Sequence, residues 1–169
     1  GTTGTGEGEF NRPWGVTVDA DGGVYVADWG NHQDQKFSPD GEYLMSFWTL
    51  KVQGGDLDHP AVGAGERAGY VFVTDWGNRR VQIFEPDGEV LTALYGDGSK
   101  LNKAMEYNLS RDADSIKFLN ANGDVMPHLA RFGRPVGIAI DEKDRIIITD
   151  VIGRLQVYLK DKDYVEPTV

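Results

Sequence analysis

From Tyr70 to Leu94 the apolar positions fall in three short runs, YVFVTD, RVQIF and EVLTAL, each with polar residues interleaved. β-Branched Val71, Val73, Val81 and Ile83 and aromatic Phe72 and Phe84 carry the runs, while Asp75, Gly77, Asn78, Pro86, Asp87 and Gly88 separate them. The first set fits a pleated, buried surface and the second fits tight turns, so the pattern predicts an antiparallel meander.

The same pattern occurs three times. VYVADWGNHQDQKFSPDGEYLMSF from Val24 aligns without a gap on VFVTDWGNRRVQIFEPDGEVLTAL from Val71, every position displaced by 47. IIITDVIGRLQVYL from Ile146 is a looser third copy. A proline-led approach precedes each one: RPWGVTVDADGG from Arg12, HPAVGAGERAG from His59 and RPVGIAIDEKD from Arg134. Each repeat then holds four strands. In the first these are Gly15–Asp19, Val24–Ala27, Gln35–Phe37 and Tyr43–Phe47, with hairpin turns at Asp21-Gly22-Gly23 and Pro39-Asp40-Gly41.

Four-strand repeats of roughly 40 residues are the signature of β-propeller blades. The segments RPWGVTVD with VYVADWGNHQDQKF, and VFVTDWGNRRVQIF, resemble the NHL repeat, whose domains are usually six-bladed propellers. The resemblance implies an all-β fold of four-stranded antiparallel blades, three in this chain, over 10–48, 57–96 and 132–169, all in one domain spanning 1–169. It speaks for the fold, because a blade motif encodes packing and leaves function to surface residues.

Between blades two and three lies an insertion, 97–131, with no counterpart between blades one and two. Ser99 can cap a helix that places Leu101, Ala104, Met105 and Leu109 on one face; Ser110 or Asp112 can cap a second with Ala113, Ile116 and Leu119, ending near Gly123. Two short amphipathic helices are expected there, as a lid or an interface. Gly1–Glu9 contains GTGEGEF, which is not a dinucleotide loop because no strand precedes it and no helix follows; a flexible entry loop is expected.

Two positions break the repeat. Asp34 stands where blade two has Val81, and a buried, unpaired carboxylate there would cost several kcal/mol, so a frayed or solvent-facing strand is expected. Blade two has AVGAGERAG in place of the alternating approach of the other blades, so its innermost strand is expected to be irregular.

The chain has 169 residues, 40% of them hydrophobic, enough for one sizeable core. It has no cysteine, which removes disulfide and thiolate chemistry, and no apolar run near the ~18 residues of a membrane span. No basic-then-apolar leader opens the sequence, so a signal peptide is absent or already removed and the compartment is undetermined. Seventeen basic against 27 acidic residues give a net charge of −10, which argues against nucleic acid as partner.

Among candidate functional residues, Asp28, Asp75 and Asp150 each end a second strand and read as acceptors for turn amides. Trp29 and Trp76 follow two of them and can pack on a neighbouring blade or stack on a ligand. His32, in a second-to-third-strand turn, and His59 and His128, in segments leading to a first strand, would project from one face with Arg79. Their spacing supports no metal site, and Asp19 with Asp21 lacks the oxygens calcium needs. Zinc-protease, phosphate-loop and nucleophile-elbow signatures are missing, so no catalytic residue, metal or cofactor is expected. The expected function is a non-catalytic scaffold that binds a protein or small ligand on its loop face, with a second copy closing a six-bladed ring. The second reading is a lyase or hydrolase of the NHL-like kind with a metal or carboxylate site in the channel.

Overall fold

The computed structural model describes residues 1–47, 56–65, 68–96 and 131–159. Their regular secondary structure is all strand apart from a 3-10 turn at Trp29–Asn31. After a two-residue parallel bridge between β1 (Thr2–Thr3) and β2 (Glu9–Phe10), blade one runs β3 (Pro13–Val18), β4 (Val24–Asp28), β5 (Gln33–Phe37) and β6 (Tyr43–Phe47). Blade two is β7 (Pro60–Gly65), β8 (Val71–Asp75), β9 (Arg80–Phe84) and β10 (Val90–Leu94). Blade three shows β11 (Pro135–Ile140), β12 (Arg145–Asp150) and β13 (Arg154–Leu159). Within each blade, sequence neighbours are spatial neighbours and pair antiparallel, which is the meander of a propeller blade. The helices expected over 97–131 fall, but for residue 131, outside the described residues, as does a fourth strand of blade three.

Blade two is covered on both sides, so all ten residues of β8 and β9 are buried. Val71, Val73 and Phe84 meet Tyr25, Phe47 and Leu57 on the blade-one side. Phe72, Val81 and Ile83 meet Phe132, Ile146 and Ile148 on the blade-three side. Alternate residues of one strand thus feed two different cores, each large side chain contributing roughly 1.5–3 kcal/mol.

The two repeat breaks explain each other. The strand bearing Asp34 is neither frayed nor exposed: β5 pairs with β4 and β6, and Asp34 is fully buried with no hydrogen-bond partner for either carboxylate oxygen. Nor is the glycine-rich strand of blade two irregular beyond the register shift that all three inner strands share after their leading proline. A Cβ on Gly63 would lie 2.5 Å from Asp34 Oδ2, and one on Gly65 2.8 Å from the Tyr25 hydroxyl. The valines of β3 that occupy the equivalent places in blade one, Val16 and Val18, would collide with both. Burial, followed by the charge of Asp28, raises the Asp34 carboxyl to a pKa of about 7.

The first ten residues are tied down. Gly8 N–H donates to Gln35 Oε1 at 2.9 Å, Gln35 Nε2 donates to the Glu9 carbonyl at 2.7 Å, and Phe10 packs 5.8 Å from Phe37. They partly cover the outer face of blade one.

Each second strand ends in an aspartate that reaches back to the segment entering its own blade. Asp28 accepts from Asn11 N–H at 2.8 Å and the Asn31 amide at 2.6 Å. Asp75 accepts from Asp58 N–H at 2.7 Å, Asn78 at 2.9 Å and Arg80 Nε at 2.7 Å. Asp150 accepts from Gly133 N–H at 2.7 Å and Arg134 N–H at 3.0 Å. Burial pushes the Asp150 carboxyl up, but the amides of Arg134 and Gly133 and the guanidinium of Arg154 outweigh it and hold it below the ordinary carboxylate range. We expect Asp75→Ala to lower stability by roughly 1–3 kcal/mol by stranding these donors, measured as a drop in melting temperature. An unchanged melt would remove Asp75 from the structural account.

Candidate functional site

The turn after each second strand meets the approach segment of the next blade, and the functional side chains gather at these seams. At the first seam His32, placed by the 3-10 turn of blade one, faces Asp58 and His59, which lead into β7. His59 Nδ1 lies 2.5 Å and His32 Nδ1 3.4 Å from Asp58 Oδ1, and the His59 backbone N–H donates to His32 Nδ1 at 3.2 Å. The Asp58 backbone is fixed at both ends: its N–H is held by Asp75 and its carbonyl accepts from Gly77 N–H at 2.7 Å. Gly77 must be glycine, since a Cβ there would fall 2.1 Å from the Asp58 carboxylate.

Trp29 stacks between Trp14, His59 and Trp76, with ring centres 5.0, 4.6 and 5.0 Å away. At the second seam Arg134 takes the equivalent place, its guanidinium 3.7 Å from the centre of the Trp76 ring. The correspondence is positional. Displacement by 47 takes Trp29 to Trp76 and His32 to Arg79, and the residue before the approach proline is His59 in blade two and Arg134 in blade three. His32 and Arg79 share a left-handed backbone, φ 55° and 57°. Corresponding positions therefore present a histidine pair at one seam and an arginine pair at the next, with a left-handed backbone at His59 but not at Arg134.

Around Arg79 and Arg134 the second seam opens into a groove of about 600 Å³, lined also by Tyr95, Arg131, Phe132 and Ile152. Arg79, Arg131 and Tyr95 are exposed, and Phe132 forms the buried floor. Arg154 is committed elsewhere, donating to Asp150 and to the Arg131 carbonyl. Three arginines lining one groove of a chain of net charge −10 form a local positive field against an acidic background.

Residues 10–37, which hold the approach and the first three strands of blade one, match the NHL repeat model. This stretch of the chain is an NHL repeat. The chain is similar to the E3 ubiquitin-protein ligase TRIM71 of Rattus norvegicus, 49% identical over 43 residues, and to Protein lin-41 of Caenorhabditis elegans, 48% identical over 44 residues. Those stretches are 25% and 26% of this chain and 5% and 4% of the relatives, so the chain spans a small part of their length. Among solved structures, virginiamycin B lyase from Staphylococcus aureus superposes with a TM-score of 0.47 at 13% identity, over 86% of this chain and 40% of that one. The Myxococcus xanthus glutaminyl cyclase gives 0.48 at 17% identity, over 88% and 57%. Neither likeness bears on what this chain binds.

Of the residues singled out from the sequence, Trp29, His32, His59 and Trp76 meet at the first seam and Arg79 lines the second. His128 lies outside the described residues. Spacing alone did not bring out Asp58, Tyr95, Arg131 or Arg134. The 47-residue register carried part of the missing signal, since it pairs each turn with the approach segment of the blade that follows.

Proposed function

We propose that this protein is a non-catalytic binding scaffold whose ligand is an acidic segment of a partner protein, seated in the groove at the second seam. The placement of Arg79, Arg131 and Arg134 around an apolar floor carries the reading: guanidinium groups recognise carboxylates in bidentate fashion, and Tyr95, Phe132 and Ile152 can hold an apolar anchor beside them. A net charge of −10 repels a long polyanion, which favours a short acidic peptide over nucleic acid. The similarity of a stretch of 43 to 44 residues to TRIM71 and lin-41 supports a protein-binding role in general terms. Titrating an N-acetylated pentaglutamate peptide ending in leucine should give saturable heat that weakens with salt, and Arg79→Ala should reduce the affinity about tenfold at unchanged melting temperature. No heat at millimolar peptide, or equal binding by the variant, would reject the groove.

We further propose that blades packed on the two end faces complete the ring, and that a second copy supplies them. Leu155, Val157 and Leu159 stand exposed on the outer face of β13, and Val16 and Val18 on the outer face of β3. Apolar rows of this kind drive association, and a two-fold axis sets each blade one against the partner's blade three.

A further inference from the structure

We infer that the first seam is a binding site for a divalent transition-metal ion, held by one ring nitrogen each of His32 and His59 and one carboxylate oxygen of Asp58. These donor atoms all lie within 4.8 Å of one another. An ion bonded at about 2.1 Å to each of three donors needs them about 3.3 Å apart. His32 Nδ1 already stands 3.4 Å from Asp58 Oδ1, and His59 Nδ1, at 2.5 Å, has to open by roughly 0.8 Å, within reach of a side-chain rotation.

The donor set selects the class of ion. Two imidazoles and one carboxylate suit zinc, copper, nickel or cobalt, whereas calcium and magnesium require a shell of oxygens that this seam does not provide. Three protein ligands leave a coordination position for water or a ligand atom, and the side chains are between a third and a half exposed, so the position is reachable. The scaffold beneath is rigid: Asp75 and Gly77 fix the Asp58 backbone, and Trp29 stacks on the His59 ring, so neither ligand has to be ordered on binding. A histidine–aspartate pair accounts for His59 and Asp58, and the His59 backbone N–H, which donates to His32 Nδ1, holds the second imidazole beside the same oxygen and would release that nitrogen to an ion.

Zinc chloride titrated into the whole chain at pH 7.5, followed by calorimetry and by tryptophan fluorescence, tests the site. One zinc per chain is expected, with a change in emission because Trp29 lies against a ligand ring. His32→Asn and His59→Asn, chosen because asparagine tolerates the left-handed backbone of both positions (φ 55° and 56°), should each weaken binding at least tenfold. Asp58→Asn keeps the backbone bonds of the native turn and should weaken it similarly, with the metal-free melting temperature unchanged. Absence of heat up to millimolar zinc would overturn the assignment. So would undiminished affinity in all three variants, which would put the ion on surface carboxylates elsewhere.

Discussion

Replacing Asp34 by valine raises the melting temperature at pH 8 and flattens its dependence on pH. The carboxyl is fully buried, has no hydrogen-bond partner and titrates at about 7 against 3.8 in an unfolded chain. The folded protein then keeps this proton where the unfolded chain has lost it, so stability falls as pH rises from about 4 to about 7 and is level above that. The full difference is roughly 4 kcal/mol, from about three units at 1.36 kcal/mol each. Valine is the residue blade two carries at this position, as Val81, and it is close to aspartate in volume, so Gly63 still leaves room for it. A gain of roughly 3 kcal/mol at pH 8, on the order of 10 °C, and a much smaller gain at pH 5 are expected from melts across that range. Equal gains at both pH values would show that packing rather than ionisation sets the effect. No gain at either would mean that Asp34 is not the strained group the fold suggests.

If a second copy closes the ring as proposed, a charge placed on the outer face of β13 should abolish assembly. Light scattering on the native chain should report about twice its 18.6 kDa mass, and Leu155→Asp should report the monomer mass, with lower stability because a core-like face is left in water. Leu155 is 62% exposed in the single chain and faces away from blade two, so the substitution strains nothing within the chain itself. A monomeric native chain that stays folded on dilution would end the closed-dimer proposal and leave the end faces to blades of another chain. Exposed Glu142, in the tight turn between β11 and β12, serves as control: its conversion to lysine should leave the mass unchanged.

Much of the fold was legible because blade strands obey local rules. Val71, Val73, Val81 and Ile83 announce their strands by β-branching, and Asp87-Gly88 announces the hairpin, with Gly88 at φ 91°. The repeat register then fixed the order of strands within each blade. The failures came where two blades share a core. Asp34 looks unfit for burial in its own strand, and Gly63 looks too small for its own; only the contact between them makes both sensible, and strand periodicity carries no information about which face meets which neighbour. The seams were half legible for the same reason. His32 and His59 were visible as turn residues, but their convergence on Asp58 depends on how the turn of one blade docks on the entry to the next.

The left-handed residue in each turn and the residue before each approach proline lie outside both cores, while the clamp aspartates and glycines beneath them hold the backbone. Chemistry at the seam can therefore change without entering either core, as the histidine pair at one seam and the arginine pair at the next illustrate. Grafting Arg79 and Arg134 onto positions 32 and 59 would amount to transplanting a recognition specificity between adjacent blades. A propeller built this way can diversify its ligands seam by seam under almost no selection for stability, much as a keyboard accepts new keycaps on unchanged switches.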